Sequence, residues 1–328
     1  MYQISLKNNK NFRCSDNETL VEAARKSGII LEHSCLSGRC SSCKVKVDSG
    51  LSEPTTEEFS LNNKEREDGY ILSCIRTPKS DMLIQAEDLS EYDISIPKTL
   101  PAKINKIEKL TEDIIKIELR FPPTQKLNFI AGQYVNVIKG SNKRSYSIGS
   151  TSNENASIEL FIKKYPDGLF SNYWFNEAKI NDLLRIEGPR GTFFIRNNSA
   201  FKNIIFLATG TGIAPVKSIL ETLSELTENF GNKNIYLFWG VKYFNDLFWT
   251  PEKLGLNIKY FPVLSREKIP TMEDGYIQNV LLTKNIELSE SIIYACGSND
   301  MILEAKNKLI ENGLPDHNFY SDAFVTSN

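Results

Sequence analysis

The stretch Cys35-Leu36-Ser37-Gly38-Arg39-Cys40-Ser41-Ser42-Cys43 decides the fold of the N-terminal part of the chain, and a fourth cysteine follows at Cys74. Three cysteines within nine residues can surround one inorganic centre only if the backbone wraps tightly around it. Gly38 supports such a turn, because glycine adopts backbone conformations that other residues rarely adopt. The serines between the cysteines are small enough to let backbone N–H groups approach sulfur. We therefore interpret the stretch as a ligand loop, with Cys74 in the fourth position.

Two kinds of site compete for these cysteines. The order C-x4-C-x2-C with one distant fourth cysteine is typical of plant-type [2Fe–2S] clusters. Structural zinc sites instead use two short Cys-x2–4-Cys pairs, and Cys74 has no close partner in the sequence. We predict that Cys35, Cys40, Cys43 and Cys74 bind a [2Fe–2S] cluster. A zinc-stabilised binding module is the alternative, and we expect Cys14 to be a core residue.

Composition bounds the remaining possibilities. A chain of 328 residues predicts two or three domains. The net charge of −2 and the short basic runs disfavour a nucleic-acid partner. Only two histidines are present, His33 and His317, which disfavours a histidine-based mechanism. The N-terminus lacks the apolar core of a signal peptide and no stretch approaches the roughly 20 apolar residues of a membrane span. We therefore expect a cytoplasmic protein with no membrane partner.

Residues 1–90 predict a small α+β domain. Alternating apolar residues at Tyr2, Ile4 and Leu6 predict a strand. Thr19–Arg25 has apolar residues at helical spacing, and Thr19 with Glu22 fits a capping box, with Gly28 ending the helix. Lys44–Val47 predicts another strand. Residues 91–100 are polar, with Pro97 inside the stretch and Pro101 directly after it, and predict a linker.

Residues 101–197 predict an antiparallel β-barrel. Alternating and β-branched runs indicate several strands, and one helical segment, Leu169–Glu177, interrupts them. The predicted strands are Ile114–Leu119, Tyr134–Ile138, Ser157–Ile162 and Leu183–Ile186.

Residues 198–328 predict a doubly wound parallel sheet. A buried-strand run, Ile204–Ala208, leads into a glycine-rich turn and a helix with apolar residues at Val216, Ile219, Leu220 and Leu223. Strands that alternate with helices are typical of this fold. The chain is thus predicted to be multidomain, α+β and α/β. The further predicted elements are strands at Ile235–Trp239, Ile258–Val263 and Ile292–Ala295, and a helix at Met301–Leu309 ending at Gly313.

Two short motifs in the predicted barrel suit a flavin. In Arg144-Ser145-Tyr146-Ser147, the arginine can pair with a pyrophosphate, the tyrosine can stack on an isoalloxazine, and Ser147 can hydrogen-bond a flavin nitrogen. Gly168-Leu169-Phe170-Ser171 begins a helix, whose free N–H groups can bind an anion. Taken alone, the first motif could be an ordinary strand edge and the second a plain helix cap.

Two motifs in the C-terminal part suit a dinucleotide. Thr209-Gly210-Thr211-Gly212-Ile213-Ala214-Pro215 directly follows a predicted strand, and its glycines let the backbone approach a phosphate. It departs from the Gly-x-Gly-x-x-Gly pattern, because proline occupies the third site. Tyr294-Ala295-Cys296-Gly297-Ser298 follows the last predicted strand, and ligands of such sheets bind at the carboxyl ends of strands. A thiol there could touch a nicotinamide ring, and a buried structural cysteine is the alternative.

In this order, the motifs resemble the ferredoxin–NADP reductase superfamily over residues 101–328. The cysteine loop is similar to that of plant-type ferredoxins, which usually carry glycine where Ser41 stands. This resemblance implies a β-grasp-like ferredoxin domain over residues 1–90. The domain order resembles that of oxygenase reductases and of a reductase in deoxysugar biosynthesis, with the better fit to the latter. The matching segments are Ala131–Tyr134, Arg144–Ile148, Arg185–Pro189, Ala214–Ser218 and Tyr320–Val325.

The resemblance implies roles for individual residues. It places Gly168 and Ser171 near an FAD pyrophosphate, Gly210, Thr211 and Gly212 at the dinucleotide phosphates, and Phe324 near the flavin ring. It implies that Ser147, Cys296 and Phe324 lie beside the reacting rings. The full cofactor-binding set is Arg144, Ser145, Tyr146, Ser147, Gly168, Ser171, Gly210, Thr211, Gly212, Pro215, Ser265, Arg266, Cys296 and Gly297.

The nicotinamide cofactor is left open. Ser265-Arg266-Glu267 and Tyr276-Ile277-Gln278 resemble the segment that holds the 2′-phosphate in NADPH-using members, and arginine suits that phosphate. The deoxysugar reductases are expected to use NADH, and the segment could be a solvated charged loop. We therefore expect NADH or NADPH.

The cofactors together predict an order of electron transfer. A nicotinamide gives two electrons as hydride and a [2Fe–2S] cluster takes one at a time, so a flavin must stand between them. We expect electrons to pass from NAD(P)H to FAD, to the cluster and to a partner protein. The resemblance implies a partner dehydrase, dependent on pyridoxamine phosphate and iron–sulfur, that removes the C3 hydroxyl of a CDP-4-keto-6-deoxyhexose. The alternatives are a reductase for an aromatic-ring dioxygenase or phenol-type monooxygenase, and a redox sensor.

Overall fold

The computed structural model describes residues 1–152, 157–166, 168–197, 201–226 and 233–324. Backbone contacts divide the chain into two compact units, one holding Met1–Ile94 and the other Ser95–Phe324. Among the helices of the described ranges, none is long and apolar enough to span a bilayer.

The first unit is a five-stranded mixed sheet with a short helix packed on it, as predicted for a β-grasp-like domain. The strand order is β2-β1-β7-β3-β5, with β1 and β7 parallel and the other ladders antiparallel. Strands β4 and β6 form a separate two-stranded ladder. The elements are β1 (Tyr2–Leu6), β2 (Asn11–Cys14), α1 (Leu20–Lys26), β3 (Lys44–Ser49), β4 (Ser52–Pro54), α2 (Asn63–Glu67), β5 (Tyr70–Leu72), β6 (Arg76–Pro78) and β7 (Met82–Gln85).

Helix α1 begins as the sequence predicts. The Thr19 hydroxyl accepts a hydrogen bond from the Glu22 N–H at 3.3 Å, and the Thr19 N–H donates to the Glu22 carboxylate at 3.0 Å. These reciprocal bonds satisfy two backbone donors that a helix start leaves free. At the other end, Gly28 has φ +76, a conformation suited to glycine just after a helix. Leu20 and Ala24 point into the core of the unit.

The second unit opens with an antiparallel barrel, which confirms the predicted fold of this part. Its sheet order is β11-β10-β13-β8-β9-β12. The two edge strands meet through a bridge between Ile148 and Leu160, and Gly149 N–H donates to the Glu159 carbonyl at 2.8 Å. The elements are β8 (Lys98–Lys109), β9 (Ile114–Arg120), β10 (Tyr134–Lys139), β11 (Asn142–Ser147), β12 (Ser157–Lys163), α3 (Leu169–Asn172), which continues as a π-helical turn over Tyr173–Glu177, and β13 (Leu183–Arg190).

Strand β8 begins at Lys98, inside the stretch interpreted from sequence as a linker. Lys98–Leu100 pair with β13, a strand that is distant in sequence. Pro101 is tolerated within the strand because pairing with β9 on the other side starts only at Lys103. A proline without an N–H fits where a strand has a neighbour on one side alone.

The rest of the second unit is a parallel sheet of order β17-β16-β15-β14-β18-β19, which confirms the doubly wound prediction. The chain starts at the central strand β14, builds outward through β15 and β16, then crosses to β18. The strand order therefore reverses between β14 and β18, where ligands of such sheets bind. The elements are β14 (Asn203–Thr209), α4 (Ile213–Glu225), β15 (Asn234–Val241), β16 (Ile258–Leu264), β17 (Glu273–Asp274), α5 (Ile277–Leu282), β18 (Ser291–Ser298), α6 (Asn299–Glu311) and β19 (Phe319–Phe324).

Candidate cofactor and electron-transfer sites

The four predicted ligand cysteines lie together as two pairs. The sulfurs of Cys43 and Cys74 are 3.0 Å apart. The thiols of Cys35 and Cys40 are hydrogen-bonded to each other, and the Cys35 N–H also points at the Cys40 sulfur, 3.4 Å away. No three His, Cys, Asp or Glu side chains of the described residues converge on one point suited to a single ion. Two thiol pairs fit a two-iron centre, which takes two thiolates at each iron.

Backbone N–H groups surround the outermost sulfur. The N–H groups of Ser37 and Arg39 both donate to the Cys35 sulfur at 3.4 Å. The hydrogen bond from Cys40, with those from Ser37 and Arg39, lowers the pKa of the Cys35 thiol to about 5 despite its burial. Cys35 is half-buried, while Cys40, Cys43 and Cys74 are buried. The loop thus favours a thiolate on the side of the cluster that is nearest to solvent.

Three residues of the cysteine loop adopt left-handed backbone conformations. Leu36, Gly38 and Ser41 have φ values of 56, 72 and 57. At Ser41 the chain departs from the glycine of similar ferredoxins, yet it keeps the conformation that glycine adopts freely. The buried hydroxyl of Ser60 accepts from the Ser41 N–H at 3.0 Å and donates to the Gly38 carbonyl at 3.3 Å. These two bonds hold the loop in its strained form.

The segment Glu58–Ser60, which the sequence analysis did not single out, connects this loop to the Cys74 region. The buried Glu58 carboxylate accepts from Arg76 at 2.5 and 3.0 Å and from the Leu72 N–H at 3.0 Å. Burial raises the pKa of Glu58, but the bonds from Arg76 and Leu72 outweigh it and leave the pKa lowered. Phe59 lies under the Arg39 guanidinium, with 5.3 Å between the Arg39 Cζ and the ring centre.

Strand β11 and helix α3 bring together three of the six predicted flavin residues, Arg144, Tyr146 and Gly168. Arg144 and Tyr146 share one face of β11, and both lie near Phe170, at 6.0 Å from Arg144 Cζ and 6.4 Å between the ring centres. Trp174 donates its indole N–H to the Tyr146 hydroxyl at 3.0 Å. Phe170 belongs to α3, whose first cap residue is Gly168. A cation, an aromatic ring and a helix start therefore converge, as a pyrophosphate-linked flavin requires.

The remaining flavin candidates are engaged within the protein. The Ser145 hydroxyl, on the other face of β11, donates to the Asn136 side chain at 2.7 Å. Ser147 is buried opposite Tyr134 in the ladder. The Ser171 hydroxyl accepts from the Tyr165 N–H at 2.9 Å. Ser145 thus faces away from the group formed by Arg144, Tyr146 and Phe170.

The two predicted nucleotide loops touch at the switch point of the sheet. A Cβ built on Gly212 would lie 2.3 Å from the Cys296 carbonyl oxygen, and one built on Gly297 would lie 2.0 Å from the Thr209 hydroxyl. Trp239, a core residue of β15 that sequence reasoning missed, donates its indole N–H to the Gly210 carbonyl at 2.9 Å. The backbones of both loops therefore lie side by side at the switch point, where ligands of such sheets bind.

Cys296 and Phe324 lie at this same edge of the sheet. The Cys296 side chain is 0% exposed, and burial, with the nearby Asp322 carboxylate, raises the pKa of its thiol well above the ordinary range. Phe324 pairs with Ser298 at the end of β19, one strand across from Cys296, and is half-buried. Pro215 is buried in the first turn of α4. Val325, the last residue of the tail motif, lies outside the described residues.

Ser265 and Arg266 are exposed just after β16, at the same carboxyl edge. The Ser265 hydroxyl donates to the Val241 carbonyl at 3.2 Å. The Glu267 carboxylate accepts from the Phe244 N–H at 2.7 Å. Exposed Tyr243, Phe244 and Tyr276 are aromatic residues of the same region.

Family models match three successive parts of the chain. A 2Fe-2S iron-sulfur cluster binding domain matches residues 5–79, an oxidoreductase FAD-binding domain residues 101–195, and an oxidoreductase NAD-binding domain residues 206–307. These matches confirm the predicted cofactors, a [2Fe–2S] cluster, FAD and NAD(P)H.

Relatives match the chain over nearly its whole length. It is 38% identical, over 96% of its own length and 96% of the relative's, to the CDP-6-deoxy-L-threo-D-glycero-4-hexulose-3-dehydrase reductase of Yersinia pestis. It is 30% identical, over 94% and 93%, to the toluate 1,2-dioxygenase electron transfer component of Pseudomonas putida. The crystal structure of the Amycolatopsis cytochrome P450 reductase GcoB shares its fold, with a TM-score of 0.73, 23% identity and 99% of each chain covered.

These findings confirm the resemblance and the electron order inferred from sequence, from NAD(P)H through FAD to the cluster. The chain therefore belongs to the ferredoxin–NADP reductase superfamily, among the NAD(P)H-dependent iron–sulfur flavoprotein reductases that carry an N-terminal plant-type [2Fe–2S] ferredoxin domain.

Proposed function

We propose that this reductase supplies electrons to a sugar dehydrase, dependent on pyridoxamine phosphate and iron–sulfur, that removes the C3 hydroxyl of a CDP-4-keto-6-deoxyhexose on the way to a 3,6-dideoxyhexose. The observation that carries the proposal is the end-to-end 38% identity to a reductase named for such a dehydrase. The sugar binds the partner, and this chain provides only electrons.

The proposed roles of the residues come from the resemblance, and the geometry of the described residues supports them. Arg144 and the start of α3 hold the FAD pyrophosphate, with Tyr146 and Ser147 beside the isoalloxazine. The loops at Gly210–Gly212 and Gly297 bind the dinucleotide phosphates. Cys296 and Phe324 lie beside the reacting rings, and Ser265 and Arg266 face the adenosine end. When bound, the flavin supplies the conversion from paired to single electrons, and the protein supplies distance and orientation.

The acceptor is proposed to dock on the exposed apolar residues beside the cluster. Leu36 is 36% exposed and Phe59 57% exposed, and both lie next to the cysteine loop. Leu36 directly follows Cys35, the ligand that is half-buried rather than buried. We therefore propose that apolar contact, more than charge attraction, holds the acceptor at the cluster.

We further propose a cytoplasmic location and three domains, with limits of 1–90, 98–197 and 198–328 and a linker at 91–97, because β8 already begins at Lys98. None of the six cysteines forms a disulfide, which fits a reducing compartment. Residue 198 lies outside the described residues. Limited proteolysis that cuts first within 91–97, and releases a red-brown fragment, would support the N-terminal limit.

The test is reconstitution with each class of acceptor. The purified holoprotein is titrated anaerobically with NADH and separately with NADPH, then mixed with a CDP-4-keto-6-deoxyhexose dehydrase and its substrate. C3 deoxygenation that depends on this chain and on the nicotinamide is the expected result. Electron delivery to an aromatic-ring dioxygenase, with none to the dehydrase, would overturn the assignment of the partner. NAD(P)H-reducible flavin without turnover of any acceptor would favour a redox sensor.

The second candidate is a reductase for an aromatic-ring oxygenase. The 30% identity to the toluate dioxygenase component, again over nearly the whole chain, favours it. The cofactors and their order would be the same, so only the acceptor distinguishes the two functions.

A further inference from the structure

Two consecutive side chains of helix α4 bind two consecutive carbonyls of the barrel. Lys217 Nζ donates to the Gly149 carbonyl at 2.7 Å, and the Ser218 hydroxyl donates to the Ser150 carbonyl at 2.7 Å. Both side chains are buried, with exposed fractions of 9% and 0%. The proposed flavin strand β11 ends at Ser147, two residues before Gly149. These bonds therefore hold the backbone that directly follows the proposed flavin site.

The charge of Lys217 is balanced by carboxylates from both sides of this contact. Glu159 of β12 lies 3.2 Å from Nζ, and Glu221, one turn along α4, lies 2.9 Å from it. Glu159 is also 3.4 Å from Lys116. A buried ammonium with several fixed acceptors holds one geometry, because it loses the surrounding water that would otherwise replace them.

Packed aromatic side chains also connect Lys217 to the proposed nucleotide loop. Lys217 Nζ lies 5.9 Å from the Phe161 ring centre. Phe161 packs edge-on against Phe248, and Phe248 against Trp239, each with 5.1 Å between ring centres. Trp239 in turn donates to the Gly210 carbonyl. The barrel strand β12 is thereby connected to the nucleotide loop through packed side chains.

We propose that Lys217 is a positioning residue for hydride transfer between the nicotinamide and the flavin. Helix α4 starts at Ile213, directly after the glycine loop, so a bond from α4 to Gly149 fixes the distance between the two cofactor sites. Lys217 itself touches neither proposed cofactor site. The inference rests on the proposed cofactor residues. Its content is that Lys217 keeps the nicotinamide ring in the correct orientation relative to the flavin ring. A misplacement of about 1 Å can lower a rate by on the order of 100-fold.

The experiment compares Lys217→Met, Lys217→Arg and Lys202→Met in the holoprotein. Lys202 forms an exposed pair with Glu290, so its replacement controls for the loss of a lysine. Stopped-flow reduction of the flavin gives a limiting rate and an apparent dissociation constant for NADH or NADPH. The spectral change that oxidised NAD+ or NADP+ induces in the bound flavin gives a readout that involves no turnover. FAD content and thermal midpoint are measured in parallel.

We expect Lys217→Met to lower the limiting rate by about tenfold or more and to alter the NAD(P)+-induced spectrum, with FAD content kept and nucleotide affinity nearly unchanged. Lys217→Arg should restore most of the rate, and Lys202→Met should match the wild type. A limiting rate within about twofold of wild type, or a loss matched by lost FAD, would overturn the proposal.

If Lys217→Met does not fold, Lys217→Gln provides the test, because its amide keeps a polar group beside Glu159 and Glu221 but is too short to hold the Gly149 carbonyl as Lys217 does. The same fall in limiting rate is expected, and a wild-type rate there counts against the proposal. A failure of the proposed partner is distinguishable, because flavin reduction is measured without any acceptor protein. It would leave the differences in limiting rate between the variants as they are and abolish only electron delivery to the dehydrase.

Discussion

Gly212 and Cys296 meet backbone to backbone between the two central strands of the nucleotide-binding sheet, where a Cβ on Gly212 would lie 2.3 Å from the Cys296 carbonyl oxygen. The φ of Gly212 is −61, which any residue can adopt. Space, and not backbone conformation, therefore requires glycine here. The obstacle is a carbonyl of a buried strand, which cannot move aside as a flexible side chain could.

Gly212→Ala should separate the two loops and lower the affinity for NADH and NADPH by about tenfold or more, which is about 1.4 kcal/mol. FAD and the cluster should stay bound, because their proposed residues lie elsewhere. Spectral titration of the flavin with each nucleotide measures the effect. Gly255→Ala is the control, since Gly255 has φ +67 but nothing within 4 Å of its Cβ position. Equal nucleotide affinities for the two variants would show that the close approach is unimportant.

Cys40→Ser should remove the cluster and electron delivery to the acceptor while the reduction of ferricyanide by NAD(P)H continues. Ferricyanide can take electrons from the flavin, which does not depend on the cysteine loop. Visible absorption and the two activities are measured on the same preparation. The matched control is Cys14→Ala, a buried thiol outside the ligand set, which should keep the cluster. Loss of both activities in a folded, FAD-loaded Cys40→Ser protein would refute the electron order.

Ser41→Gly should stabilise the cluster loop by about 1 kcal/mol, because an L-residue in the left-handed region costs on the order of 1–2 kcal/mol. The bond from the residue 41 N–H to Ser60 is kept, since it uses the backbone. The midpoint of urea-induced loss of cluster absorbance should rise. Ser42→Gly, at a position without positive φ, should lower it or leave it unchanged. A lower midpoint for Ser41→Gly would contradict the strain described here.

Glu58→Gln should destabilise the ferredoxin unit by about 3 kcal/mol at pH 7, because it leaves the Arg76 charge buried without its partner. The folded pKa of Glu58 lies below its ordinary value of 4.5. The carboxylate therefore contributes its stability above about pH 4.5 and loses it as the pH falls through the folded pKa. As the pH falls from about 5 to about 3, the urea midpoint should fall more steeply in the wild type than in the variant.

Glu53→Gln serves as the control for Glu58, because Glu53 pairs with Lys79 at an exposed site. Such a pair contributes about 0–1 kcal/mol, so its loss should change the midpoint little. If the two variants lose equal stability, the buried ion pair does not hold the cysteine loop.

Features that depend on neighbours in sequence were predictable. The capping box at Thr19 and Glu22 follows from spacing alone, and the strands follow from alternation because a strand places every second side chain on one face. The three-domain fold class was predictable for the same reason, since runs of strands and then strand–helix repeats fix the layers.

Contacts between distant segments were not predictable in the same way. The bonds from Lys217 to Gly149 and from Glu58 to Arg76 join segments whose approach is set only by the completed fold. Trp239 was taken as one apolar residue of a strand, because its indole donor becomes meaningful only once Gly210 lies beside it. The start of β8 at Lys98 was missed for a similar reason, as its partner strand β13 is far along the chain.

Phe59→Ala should weaken acceptor reduction at least about fivefold through a higher apparent KM, because it removes an exposed aromatic ring beside the cysteine loop. The ring is 57% exposed, so its loss should cost little stability. Leu51→Ala, 69% exposed in the same unit, is the matched control and should behave as wild type. Ferricyanide reduction and cluster absorbance should be unchanged in both variants.

Since apolar contact is proposed to dominate, raising the salt from about 50 to 500 mM should change wild-type acceptor reduction less than Phe59→Ala does. A steep salt dependence together with a normal Phe59→Ala protein would instead locate the docking energy in charged residues.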